Sequence, residues 1–246
     1  MARDLPDKIE EDLSCELEGE QRSLYMAELK RTQQVLLKVQ TQSELNEQRF
    51  HFLTSLLRLR QICCDPRLVH RDSQAASAKL ETLLETLDPL MEEAQKVLVF
   101  SQFVDMLELL RSAIVSRNWP VYFLAGETEN RGDLVQRFQN QPGAAVFLIS
   151  IKAGGFGLNL TAASYVIVYD PWWNPAVENQ AIDRTHRIGQ TQKVIAYRLI
   201  AKDTIEEKIR ELQKLKKALA ADVLGEEQFT QSLSLDDFRF LLGAGA

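Results

Sequence analysis

Two hydrophobic rhythms divide the chain. From Lys79 onward, short apolar runs alternate with longer stretches in which apolar residues recur every third or fourth position. The runs Val97–Phe100, Val121–Leu124, Val146–Ile149, Tyr165–Tyr169 and Val194–Ile200 read as strands. Val104–Ser116, Arg131–Asn140 and Ala176–Ile188 read as amphipathic helices, and Lys79–Leu87 as a helix that breaks at Pro89 and resumes to Ala94. Continuously apolar strands that alternate with helices predict an α/β sheet, mostly parallel, with helices on both faces and right-handed crossovers.

Before Lys79 the rhythm is helical. Leu5–Glu10 looks extended and is followed by a polar stretch. A helix starts at Glu18–Gln21 and runs through Leu24, Leu29, Leu36 and Val39; a second covers Leu45–Cys64 and stops at Asp65-Pro66. Arg58, Arg60 and Arg67 near that end either approach phosphates or pair with neighbouring acids. Ser73–Ser77 is a small polar joint. After the last strand, Asp203 or Thr204 caps a long helix to about Val223, its first-turn acids favoured by the helix dipole, and Gly225 ends it. Leu233–Leu242 is a short amphipathic piece. The expected division is therefore 1–75 helical, 76–202 α/β, and 203–246 helix and tail.

The polar motifs of the α/β part fall just past strand ends: Ser101-Gln102, Gly126, Ser150–Asn159 and Asp170. Ligands bind at the carboxyl edge of such sheets, which points to one functional edge. The richest stretch is Ile149–Gln190. It holds a glycine-rich turn (Lys152-Ala153-Gly154-Gly155-Phe156-Gly157-Leu158-Asn159), the block Asp170-Pro171-Trp172-Trp173-Asn174-Pro175, and Gln180-Ala181-Ile182-Asp183-Arg184-Thr185-His186-Arg187-Ile188-Gly189-Gln190. Gly154, Gly155 and Gly157 let backbone N–H groups close on an anion, or serve only a tight strand-to-helix turn. Asn174 is a good N-cap, Pro175 a good first helical residue and Gly189 a C-terminal stop. A helix between them puts Gln180, Arg184 and Arg187 on one face. Two guanidiniums and an amide so placed suit a polydentate grip on phosphate oxygens; the plainer reading is a salt bridge from an arginine to Asp183 or Glu178. His186 falls off that face, as a satisfied histidine or a hinge to Asp170.

Composition narrows the partners. The 246 residues are 45% hydrophobic, enough for a core, and no apolar run reaches membrane-spanning length; with no secretory leader, a soluble intracellular protein without a membrane partner is expected. A net charge of −6 argues against tight binding of nucleic acid by charge alone, although Arg184–Lys217 is locally basic. The three cysteines, Cys15, Cys63 and Cys64, match neither a zinc spacing nor a disulfide framework, so no metal site is expected.

The blocks GGFGLNLTAA, DPWWNP and QAIDRTHRIGQ, in this order, resemble motifs V and VI of superfamily 2 helicases, in detail those of Swi/Snf-type DNA translocases. The resemblance runs from about Leu5 to about Leu242. It implies a second RecA-like ATPase lobe, preceded by a helical inter-lobe insertion and followed by a brace helix. Ser77-Ala78-Lys79 stands where the family usually has Ser-Gly-Lys; alanine there suits a helix start. By this resemblance Arg187 is the arginine finger and Arg184 a second phosphate-facing group, with Gln180, Gly157, Asn159 and Asp183 on the nucleotide side. Ser101 and Gln102 (motif IV), Lys152, Ala153 and Gly154 line double-stranded DNA, and Trp172 and Trp173 either pack in the core or sit against nucleic acid. Neither a Gly-Lys-Thr/Ser loop nor an Asp-Glu pair occurs in the sequence. ATP and Mg²⁺ would thus be held mainly by a front lobe of the same polypeptide, and this chain alone is expected not to hydrolyse ATP. A DNA-bound protein is a further partner the family would imply. Two other readings stand beside this one: a lobe of a strand-separating helicase, and a non-hydrolysing docking module for transcription machinery.

Overall fold

Six strands form one sheet in the order β1-β6-β5-β2-β4-β3, namely β1 (Lys8–Cys15), β2 (Lys96–Ser101), β3 (Val121–Leu124), β4 (Ala145–Ser150), β5 (Tyr165–Val168) and β6 (Val194–Ala201). The computed structural model describes residues 6–126, 128–154, 158–187, 189–215 and 230–243. The pairs β2–β4, β2–β5, β3–β4 and β5–β6 are parallel. So is β1–β6: Val194 N–H donates to the Asp7 carbonyl (3.0 Å) and Lys202 N–H to the Cys15 carbonyl (2.8 Å), an equal advance along both strands. The sheet is thus wholly parallel rather than mostly so. The extended start seen in the sequence is its first edge strand, carried further into the polar stretch than the apolar pattern indicated.

The chain divides into two compact units, one made of residues up to Leu13 with Leu80–Trp172 and Val177–Leu199, the other of Ser14–Lys79, Trp173–Ala176 and residues from Ile200 onward. In the first unit, β4 is buried at all six positions, because a parallel strand covered on both faces has no polar side to show. Phe100, Phe138, Phe147, Ile149 and Val166 form its core, each Phe contributing about 2–3 kcal/mol of apolar burial. The helices α4 (Val104–Ser116) and α5 (Arg131–Asn140) flank β3 on opposite faces. Phe123 lies under Arg111 of α4, whereas its neighbour Tyr122 packs edge-on against Phe138 of α5.

Pro89 does not break its helix. The helix α3 (Ala78–Glu92) runs through it. Leu83, Leu87 and Leu90, on both sides of the proline, are all buried, and their burial outweighs one missing backbone donor. The helix ends instead at Ala94, in the left-handed region, with Gln95 N–H closing on the Leu90 carbonyl at 2.8 Å.

The second unit is helical. The helices α1 (Gly19–Leu36) and α2 (Gln42–Cys64) pack with α8 (Ile205–Leu215) and α9 (Leu235–Leu242) around Tyr25, Leu56, Leu59, Ile209 and Phe238. The start of α2 is fixed by a capping box: Thr41 Oγ1 accepts Glu44 N–H while the Glu44 carboxylate accepts Thr41 N–H. The joint before α3 is pinned rather than loose. Ser77 donates to the Cys64 carbonyl (2.8 Å), and the Gln21 amide donates to the Ile62 carbonyl (2.8 Å) and accepts Ala78 N–H (3.0 Å). Thr204 caps α8, accepting Glu206 N–H at 3.1 Å. Val223 and Gly225, expected at the end of that helix, lie outside the described residues. The cysteines are free and buried, Arg67 pairs with Asp65, and Arg60 is buried. Among the described residues no helix is long and apolar enough to cross a membrane.

Candidate functional site

At the carboxyl edge of the sheet, β2 ends in Ser101 and the strand beside it, β5, leads into Asp170. The Asp170 carboxylate is fully buried and draws three donors together: the Ser101 hydroxyl, Gln102 N–H (3.3 Å) and the Gln102 amide (2.7 Å). Ser101 Oγ in turn accepts Phe103 N–H at 3.1 Å, just ahead of α4. The Ser101 side chain is therefore engaged inside the protein, and Gln102 is the half-exposed member of the pair. Next along this edge, β4 passes into the single turn α6 (Ile151–Gly154). Lys152 is exposed; Ala153 is buried, its N–H on Ser150 Oγ at 3.3 Å. Gly157, with Gly155 and Phe156, lies outside the described residues.

The two tryptophans part company. Trp172 is buried in the sheet unit, whereas Trp173 is buried in the helical unit with the Arg60 guanidinium 5.2 Å from its ring centroid. Asn174 accepts Ala176 N–H (2.9 Å) and opens the helix α7 (Pro175–Ile182).

That helix is shorter than its sequence pattern predicts. It stops at Ile182, and only Gln180 of the three expected face-sharing residues lies on it, exposed. Arg184 and Arg187 sit in the turns beyond. The backbone there has other partners. The Arg184 carbonyl accepts Leu160 N–H (3.2 Å), Thr185 Oγ1 donates to the Ile182 carbonyl (2.7 Å), and the Gln190 amide clasps the carbonyls of Thr185 (3.2 Å) and Ala163 (2.9 Å). Gly189 then turns the chain at a φ of 108°, where a side chain would be strained.

These turns lie at the opposite, amino edge. Gln139, just ahead of β4, donates to the Asn159 carbonyl (3.1 Å) and accepts Ala162 N–H (2.8 Å); Ser164 donates to Gln95, just ahead of β2, at 3.2 Å. The residues expected at a single functional edge therefore lie at two edges. Ser101, Gln102, Lys152 and Asp170 hold one, while Asn159, Asp183, Arg184 and Arg187 hold the other. The residues around the glycine-rich turn carry the chain from the first to the second.

At the amino edge, Arg187 is exposed, its Nη1 3.5 Å from the Leu158 carbonyl. Arg184 is half-buried. Desolvation, and then the like charge of Arg187, push its guanidinium below the usual arginine range against the pull of Asp183. Asp183 is exposed and meets Lys8 at 3.4 Å, and His186 Nε2 is 2.6 Å from the Pro6 carbonyl rather than near Asp170.

A charge cluster built on the buried pair Glu178 and Arg198 ties the sheet unit together, and the motif pattern gave no hint of it. Glu178 accepts Trp172 N–H (2.6 Å) and the Arg198 guanidinium (3.1 Å), and Arg198 also binds Glu10 at 2.5 Å. Burial disfavours the Arg198 charge, but Glu10 and Glu178 outweigh it and hold the guanidinium above its usual range. An arginine inside the apolar strand β6 was the available signal, since a buried charge requires a partner. Among the described residues, no group of three or more His, Cys, Asp or Glu side chains is arranged to hold a metal.

A wholly parallel sheet with ligand-type residues at both edges is the architecture of a RecA-like helicase lobe. Residues 78–189 match the helicase conserved C-terminal domain, and residues 1–68 match the SNF2-related domain. The solved SWI2/SNF2 ATPase C-terminal domain of Sulfolobus solfataricus is 35% identical, with a TM-score of 0.76, over 98% of this chain and 100% of that one. The SWI2/SNF2 ATPase core of the same organism, solved in complex with dsDNA, is 34% identical with a TM-score of 0.79, over 98% of this chain and 51% of that one. A putative ATP-dependent helicase/translocase of Bacillus subtilis (strain 168) is 37% identical over 255 residues, spanning 100% of this chain and 27% of its own length. The chain belongs to the SWI2/SNF2 ATPase family and corresponds to its C-terminal domain. It spans about a quarter of the length of the curated relatives it matches.

Proposed function

We propose that this chain is the second motor lobe of an ATP-dependent translocase on double-stranded DNA, with Arg187 as arginine finger and Arg184 as a second phosphate-gripping group. Residues 76–202 are then the RecA-like lobe, residues 1–75 the inter-lobe helical insertion, and residues 203–246 the brace and tail. The observation that carries the reading is the pair of guanidiniums at the amino edge. Desolvation and then the neighbouring Arg187 charge lower the Arg184 guanidinium, an arrangement that a polyphosphate would relieve. ATP with Mg²⁺, held on the front lobe, supplies the phosphoryl group, and the arginines stabilise the charge that develops on it. Gln180, Asn159 and Asp183 line the same side and orient the arginines.

The opposite edge takes the DNA. Lys152 offers an exposed cation, and the turn at Ala153 and Gly154 offers backbone close to a phosphate; Gln102, fixed by Asp170, adds a polar side chain. Contacts of this kind grip the backbone without reading sequence. Both tryptophans are buried, so in this reading neither stacks on bases. The segment from Ile151 to Leu160 joins the two edges, which gives nucleotide state a covalent route to the DNA grip.

The test is ATP turnover with and without duplex DNA, for this chain and for a polypeptide joining it to its front lobe. The chain alone should be silent and the joined protein stimulated by DNA. Arg187→Ala in the joined protein should lower kcat by about 10³-fold or more while leaving DNA binding intact. Turnover by the chain alone, or an unaffected Arg187→Ala protein, would overturn the assignment. Strand displacement by the joined protein would make it a helicase instead.

A further inference from the structure

The sheet ends at β3, and this edge is open. The Pro120 carbonyl accepts Val146 N–H at 2.9 Å, and Val121 is paired with Val146 in a parallel register. In a parallel ladder, residues alternate between facing the partner strand and facing away. Tyr122 and Leu124 therefore bond to β4, while the N–H and C=O groups of Val121 and Phe123 point outward. Beside them runs a groove of about 360 Å³, floored by residues 120–123 and walled by Arg111 of α4 on one side and by Leu134 and Arg137 of α5 on the other. Val121, Tyr122 and Phe123 are each half-exposed.

The walls carry one sign of charge. Arg111 lies over the Phe123 ring (5.6 Å), and its one ion pair among the described residues is a long 3.5 Å contact to Glu108, with both side chains about half exposed. Arg137 is exposed and forms no ion pair with a described residue. An acidic chain, with a net charge of −6, thus places one guanidinium on each side of an open strand edge. Positive charge there deters edge-to-edge pairing with like-charged strands, and it selects a strand of opposite charge.

We infer that the β3 edge is a docking site for an extended acidic segment of another protein, which adds as a seventh strand. Its backbone pairs with Val121 and Phe123. Because side chains alternate along a strand, its carboxylates reach Arg111 on one face and Arg137 on the other, and its apolar residues cover Phe123 and Leu134. The other edge strand, β1, is acidic, but its Glu10 is already held by Arg198 and Lys8. Pairing β1 of one copy with β3 of the next would moreover build an open chain rather than a closed dimer. A second copy is therefore the weaker occupant. The surface is separate from both ligand edges and does not depend on the motor assignment.

The probe is a fluorescein-labelled peptide of repeating Glu-Glu-Val-Val, which presents carboxylates on both faces of a strand, with a Lys-Lys-Val-Val version as control. It is titrated into the intact 246-residue chain. Expected results are saturable binding of the acidic peptide that weakens with salt, and about tenfold or slower hydrogen exchange at the Val121 and Phe123 amides, with Tyr122 and Leu124 little changed. Arg111→Glu with Arg137→Glu should cut affinity about tenfold or more and transfer preference to the lysine peptide. Equal binding of both peptides, binding without protection at Val121 and Phe123, or an unchanged affinity in the folded double variant would overturn the inference. So would concentration-dependent self-association that protects the same amides without peptide.

Discussion

The Lys79 ammonium lies 2.7 Å from both carboxylate oxygens of Glu206, and neither side chain has any measurable exposure. The pair joins the start of α3 to the start of α8 inside the helical unit, and Glu206 also accepts Ala201 N–H at 2.8 Å. Burial opposes the charge on Lys79, but the facing carboxylate outweighs it and raises the ammonium above its usual range. Stability from a raised lysine is fully present below its unfolded pKa of about 10.4 and is lost only as pH climbs through the higher folded value. Lys79→Met should cost about 3–5 kcal/mol, because it strands a buried carboxylate, and Lys79→Met with Glu206→Leu should recover most of that. Urea unfolding of the two variants measures both. A single variant as stable as the parent protein would remove the pair from any account of the unit's stability.

Acid should loosen the sheet unit through Glu10. Burial raises its pKa, but bonds from Arg198 and Lys8 prevail and hold it below the usual carboxylate range. The sign follows: a lowered carboxyl contributes above its unfolded pKa of about 4.3, and that contribution drains away as pH falls through the lower folded value. Thermal melts should hold nearly level from pH 7 to about pH 5 and then decline, with a shallower decline in Glu10→Gln. Parallel acid limbs in the two proteins would assign the decline to other carboxylates.

Stability and activity should separate at the arginines. Arg187 is exposed and among the described residues its side chain bonds the Leu158 carbonyl, so Arg187→Ala should shift Tm by no more than about 1–2 °C. Arg198→Ala leaves Glu178 buried without its cation and should cost about 3 kcal/mol or more. Scanning calorimetry of the two variants, read beside their ATP turnover in the joined protein, tells a finger from a strut. A large Tm loss in Arg187→Ala would make it a structural residue.

The apolar rhythm was enough to place β2 through β6, α4 and α5, because a strand buried on both faces and a helix with one buried stripe each leave a local imprint. What failed was local inference where tertiary partners decide. The helical pattern across Arg184–Arg187 is real, but Leu160 captures the Arg184 carbonyl and Gln190 ties Thr185 to Ala163, and no window of neighbouring residues contains Leu160 or Ala163. Pro89 failed in the opposite direction, since the burial of Leu83, Leu87 and Leu90 lies in three dimensions. Thr41 with Glu44 has the local spacing of a capping box. Lys79 with Glu206 was not legible, being a pairing across 127 positions. For the candidate site residues, the sequence pattern did not show that Lys152 and Arg187 lie at opposite edges of the sheet.

The strand order sets a schedule. In chain order β1 comes first among the strands and β6 last, yet they are neighbours, with Asp7 bonded to Val194 and Cys15 to Lys202. During synthesis β1 has no mate until nearly all the rest of the sheet has been made. Closing so long a loop is a late and slow step in assembly. Until then the acidic side chains Glu10, Glu11 and Asp12 keep the waiting strand soluble, and Arg198, buried on arrival, locks it in place. A released chain that ended before Val194 would therefore leave β1 without a mate and the β5 edge unpaired, and that species, rather than the finished fold, is where chaperones would be needed.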